Sequence, residues 1–125
     1  MPTFKIDPRK LTEEQEQEKF VIWLQEMKYK FSALPLSTYT KSWAVKMRNK
    51  RQGVRPGVPD LMIIVENFLV FIEMKRGDGG VISNFQKDWI EKLNSCTGVK
   101  AFVCAGAEEA KRKIRSIKFE QYVAL

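Results

Sequence analysis

Along this chain the spacing of apolar residues changes several times, and each change marks an element. Between Thr12 and about Lys30, Phe20, Trp23, Leu24 and Met27 recur at three- and four-residue intervals, the stripe of an amphipathic helix. Thr12 followed by Gln15 is a capping box that starts it. Residues 31–40, broken at Pro35, read as an edge or first strand. The runs Leu61–Val65 and Phe68–Met74 are nearly pure apolar and are parted only by Glu66-Asn67, which predicts an antiparallel hairpin. Pairing about that break sets Val65 opposite Phe68 and Leu61 opposite Ile72, whether the loop has two residues or four. Leu69 and Phe71 share one face with Glu73, and Phe68, Val70, Ile72 and Met74 take the other, so the strand is expected to be central and buried on both sides.

The remaining elements are shorter. Ser83 caps a helix to about Ser95, with Phe85, Trp89, Ile90 and Leu93 as its core face. Lys100–Ala105 is a short buried strand, and Gly106 opens a last helix from about Ala107 to Ile117, followed by strand or packed coil over Phe119–Val123. Residues 1–11 form an irregular arm around Pro2 and Pro8, residues 41–52 are a short helix or a loop, and Arg76–Gly80 is a flexible loop. The order is α-β-β-β-α-β-α, an α/β fold with a mixed central sheet flanked by helices.

A length of 125 residues predicts one domain spanning residues 1–125. No apolar run approaches the ~20 residues of a membrane span, and the first residues lack a signal-peptide core. The expectation is a cytoplasmic protein without a membrane partner, with Cys96 and Cys104 as free buried thiols. Histidine is absent, which excludes Ser-His and Cys-His hydrolases, His-ligated zinc and histidine general bases. Carboxylates, lysines and an oxygen-liganded cation such as Mg²⁺ or Mn²⁺ are left to do any chemistry, with no organic cofactor.

The net charge is +7 and it is segregated. Lys41, Lys46, Arg48, Lys50, Arg51 and Arg55 form a run without an acid, with Trp43 among them. Because this run leads into Pro59-Asp60, it is read as a contact surface for a phosphate backbone. Lys111, Arg112, Lys113, Arg115 and Lys118 form a second cluster; either cluster taken alone could be a solvated face.

The hairpin carries the candidate chemistry. Its register puts Asp60 opposite Glu73, with Lys75 on the same face. The plainer alternative makes Asp60 a turn cap and Glu73 and Lys75 solvated strand-end charges. That alternative fits poorly beside a strand apolar on both faces, where an unpaired carboxylate is expensive. Two carboxylates and an ammonium at such a place suit a divalent cation beside a charged substrate.

Pro59-Asp60, twelve intervening residues and Glu73-Met74-Lys75 together resemble the PD-(D/E)XK nuclease superfamily. The longer string Gly57-Val58-Pro59-Asp60-Leu61, Phe71-Ile72-Glu73-Met74-Lys75, Ser83-x-x-Gln86-x-x-Trp89 and Gly106-x-x-Glu109-Ala110 is similar to the VRR-NUC group, specifically its small stand-alone members common in phages. The resemblance covers about residues 12–118 and implies a restriction-endonuclease-like core. It implies that Asp60, Glu73 and the backbone carbonyl of Met74 bind metal, that Lys75 activates water and stabilises the phosphate, and that Gln86 points back to the site. Glu13, four residues before Gln17, matches the first-helix acid; Glu16, nearer the core stripe, is its rival, and a solvated helix start is the alternative for either. The implied activity is a metal-dependent DNA endonuclease for branched or Holliday junction-like DNA, acting as a homodimer. A non-catalytic nucleic-acid-binding module and a metal-free partner-binding protein are the competing readings.

Overall fold

Two apolar runs pair into the hairpin at the centre of the architecture. Leu61–Val65 (β2) and Phe68–Lys75 (β3) pair antiparallel, with Val65 opposite Phe68 and Leu61 opposite Ile72, the register expected from the sequence. Lys30–Ala33 (β1) adds antiparallel to β2, and Val99–Ala105 (β4) adds parallel to β3. The sheet is therefore mixed, in the order β1-β2-β3-β4, with β3 flanked on both edges. A parallel neighbour needs a crossover, and Asn84–Asn94 (α3) provides it. The computed structural model describes residues 10–34 and 42–123, which also include helices Glu13–Glu26 (α1), Trp43–Arg51 (α2) and Ala107–Val123 (α4).

One sheet face builds the core. Leu61, Ile63, Val65, Val70, Ile72 and Met74 are fully buried against Phe20, Trp23 and Leu24 of α1 and Ala107, Ala110, Ile114 and Ile117 of α4. Each large side chain sequestered there stabilises the fold by roughly 1.5–3 kcal/mol. The other face corrects the expectation of a fully sandwiched hairpin. Among the described residues only α3 lies above it, α3 contributes no buried residue, and Ile64 remains 51 % exposed. A single eleven-residue helix cannot cover a four-stranded sheet.

Several boundaries also move. The first helix ends at Glu26 rather than Lys30, because Lys28 turns left-handed (φ 61) and the Tyr29 N–H donates to the Leu24 carbonyl. The basic segment is a helix, capped by the Ser42 side chain, and it contributes nothing to the core. The last helix runs to Val123, since no Gly or Pro interrupts it and Phe119 has no core to join. The expected strand or coil over Phe119–Val123 is thus absent. Both thiols are free, but Cys96 is exposed; only Cys104 is buried, with its pKa pushed up to about 12 chiefly by that burial. Residues 35–41, expected to extend the first strand, and the arm before Lys10 lie outside the described residues. Among the described residues no helix is long and apolar enough to cross a membrane.

Candidate active site

The site forms where β2 begins and β3 ends. Buried Pro59 delivers Asp60 to the start of β2, and the chain there is tied down on both sides. The Asp60 carbonyl accepts from the Leu34 N–H at 2.8 Å, and Asp60 Oδ2 accepts from the Met74 N–H at 2.8 Å. Asp60 thus meets β3 beside Glu73, as the hairpin register requires. Glu73 is only 3 % exposed and Lys75 6 %, and Lys75 Nζ lies 3.7 Å from Glu73 Oε1. The Lys75 carbonyl accepts from the Gly106 N–H at 3.0 Å, which joins the strand end to the start of α4.

Gln86 completes the arrangement through both ends of its amide. Its Nε2 donates to Glu73 Oε1 at 2.7 Å, while its Oε1 accepts from the Ser83 N–H at 2.9 Å. Ser83 Oγ in turn accepts from the Gln86 N–H, so the α3 capping box and the orientation of Glu73 depend on one side chain. Ser83 itself is a plain N-cap. The opposite oxygen, Glu73 Oε2, is buried and has no hydrogen-bond partner among the described residues.

Glu13, the first residue of α1, brings a third carboxylate. One oxygen each from Glu13, Asp60 and Glu73 lies within 4.8 Å of the others. Glu16, the rival, is spent elsewhere. It is buried, and its Oε2 accepts from the Ala107 N–H at 3.0 Å, capping α4. Gly106, at φ +92, permits that approach, since a Cβ there would collide with the Glu16 carboxylate.

Burial raises the pKa of Glu73 to about 8, with the neighbouring Asp60 charge adding to it and Lys75 opposing. Asp60 is also raised, first by burial, while the Met74 N–H holds it down. The two acids cannot readily ionise together without a cation between them. The donor set fits one. A buried unpartnered carboxylate oxygen and two further carboxylates, with neither imidazole nor thiolate near, could hold a hard divalent ion of the Mg²⁺ or Mn²⁺ kind. Its donors would be Glu13, Asp60 and Glu73, with the Met74 carbonyl expected beside them. These groups open into a cleft of about 420 Å³ that Lys75, Gln86 and the Pro56–Val58 corner also line.

Lys46, Arg48, Lys50 and Arg51 are exposed along α2, and exposed Arg55 links α2 to the corner. Lys41 lies outside the described residues. The second basic cluster is largely engaged within the fold. Lys111 pairs with Glu108 at 3.0 Å, Lys113 sits over the Phe102 ring and Arg115 over Trp23. Sequence reasoning missed the tie between the corner and α3. Trp89 Nε1 donates to the Pro56 carbonyl at 3.1 Å, and Gly57 (φ +89) lies so close to the Phe85 backbone that a Cβ would overlap it. The Ser83-x-x-Gln86 spacing, read in the same way as Thr12-x-x-Gln15, would have revealed the second capping box.

Comparisons with known proteins point the same way. Residues 5–108 match the family model described as the VRR-NUC domain. A solved structure titled "VRR_NUC domain protein" is 32% identical, with a TM-score of 0.62 over 85% of this chain and 87% of that one. No curated protein gives a significant match to the sequence. The chain belongs to the VRR-NUC family of nuclease-type domains.

Proposed function

We propose that the protein is a divalent-cation-dependent DNA endonuclease and that residues 1–125 act as one nuclease domain. The observation that carries this reading is the unpartnered, buried Glu73 Oε2 beside Asp60, Glu13 and the buried Lys75. A cation held there would supply Lewis acidity toward a phosphodiester and acidify water. The chain's own residues do the rest. Asp60 and Glu73 fix the donor geometry, and Gln86 keeps the Glu73 carboxylate from rotating. Lys75 places an ammonium where negative charge grows on the phosphate and holds the attacking water by hydrogen bonding. The exposed cations of α2, with Arg55 and Lys41, grip the backbone of the substrate.

Branched or Holliday junction-like DNA as substrate, Mg²⁺ or Mn²⁺ as the ion, a homodimeric assembly and a cytoplasmic setting complete the proposal. The test is cleavage of a panel comprising duplex, flap, splayed arm and four-way junction, with Mg²⁺, with Mn²⁺ and with chelator. Cation-dependent cutting, strongest on the branched members and lost in Asp60→Asn, is the expected result. Binding without cutting under every condition would leave a non-catalytic nucleic-acid-binding module instead.

A further inference from the structure

The α2 helix is held out from the core. None of its nine residues is buried, and Trp43 on its first turn is 74 % exposed. An indole exposed to that degree forgoes the burial that usually accounts for a tryptophan. On a helix, Trp43 shares a face with Lys46, Met47 and Lys50, so the ring is bordered by ammonium groups. From Ser42 to Arg55 there is no acid, while Lys46, Arg48, Lys50, Arg51 and Arg55 are all exposed. The helix then leads through Arg55 to Pro56, Gly57 and Val58, which line the cleft of the three carboxylates.

We infer that α2 is a docking surface for unpaired nucleotides, with Trp43 stacking on a base and the flanking lysines and arginines holding the phosphates. The chemistry selects this occupant over others. A protein partner is disfavoured because interface cores are depleted of lysine and surround their aromatic anchors with apolar contacts. Among the described residues, the face of Trp43 carries two lysines beside a single methionine. A duplex satisfies the cations but offers the indole no free base face, whereas a single-stranded segment satisfies both at once. The inference rests on the nuclease reading and adds to it a contact that selects DNA with unpaired bases near the cleft.

The test is binding without divalent cation, so that no substrate is cut. Fluorescein-labelled oligothymidylate of about 16 nucleotides and a duplex of equal length are titrated by anisotropy at several salt concentrations. Wild-type protein, Trp43→Ala and Trp43→Phe are compared. Trp43→Ala is expected to weaken single-strand binding by about 5- to 100-fold, the loss of one stacked base, with duplex binding changed by less than about twofold. Trp43→Phe should retain most of the affinity, and the salt slope should not move, because no charge has been removed. Equal loss on both ligands, or no loss on either, overturns the inference while the nuclease reading stands. A dimer that dissociates on Trp43→Ala during sedimentation would make the indole a protein contact and overturn it too. Failure of the wild-type protein to bind the single strand would overturn the inference, while the nuclease reading would still be decided by the cleavage panel with divalent cation.

Discussion

Glu73→Gln offers the most demanding prediction, because it should inactivate the protein and stabilise it in the same step. In the cation-free fold the Glu73 pKa is pushed up to about 8 from an ordinary 4.5, mainly by burial and then by Asp60. The folded state therefore keeps a proton that the unfolded chain releases, so stability falls as pH rises from about 4.5 toward 8 and levels off above it. At pH 7 the unfolded chain is favoured by roughly 2.5 pH units of titration, or about 3 kcal/mol. Glutamine does not titrate. Its carbonyl still accepts from Gln86, and its NH₂ replaces the orphaned oxygen and can donate toward Asp60. The variant should match wild type near pH 4.5 and exceed it by about 3 kcal/mol at pH 7, with a melting point about 10 °C higher. Urea unfolding followed by circular dichroism in chelator, across that pH range, measures the difference. Adding Mn²⁺ should stabilise wild type more than the variant. A difference that does not change with pH, or a variant less stable than wild type at pH 7, refutes the account of Glu73.

Three further outcomes are expected. Lys75→Ala should retain Mn²⁺ binding by calorimetry but lose two or more orders of magnitude in single-turnover cleavage, about 3–4 kcal/mol of transition-state stabilisation, and Lys75→Arg should not restore it fully; collapse of ion affinity together with activity would make Lys75 a structural partner of the acids. Neutralising Arg48, Lys50 and Arg51 together should flatten the log–log salt dependence of DNA binding by about three units, and an unchanged slope would turn α2 away from DNA. Gly57→Ala forces a side chain into the Phe85 backbone at φ +89, so it should lower the melting point and depress kcat more than DNA affinity; full activity would show that the corner does not position α3.

The hairpin was legible because its turn fixes its register. Once Glu66-Asn67 is the break, Asp60 must approach Glu73 and Lys75 must follow on the same face. The choice between Glu13 and Glu16 needed tertiary information. One helical turn separates them, and it is the N-terminus of α4, remote in sequence, that takes the Glu16 carboxylate and leaves Glu13 for the cleft. The basic segment could not be assigned as helix or loop because a helix with no buried face leaves no apolar period to read. Coverage of the second sheet face was overestimated for a related reason. Apolar residues on both sides of a strand report what could be buried, while the length of α3 decides what is.

Because Gln86 both caps α3 and holds Glu73, the first turn of that helix is also a thermal fuse for the site. No residue of α3 is buried, so its first turn is held against fraying chiefly by the capping box, the Gln86–Glu73 and Trp89 bonds and the close approach of Gly57 to the Phe85 backbone. When the turn opens, the amide leaves both the Ser83 N–H and the Glu73 carboxylate, and Glu73 Oε1 is left to its ion pair with Lys75 with the sheet intact. Catalytic loss on heating should therefore run several degrees ahead of the cooperative melt, through an opening reversible on cooling and, given the proposed ion site, countered by added Mg²⁺ or Mn²⁺.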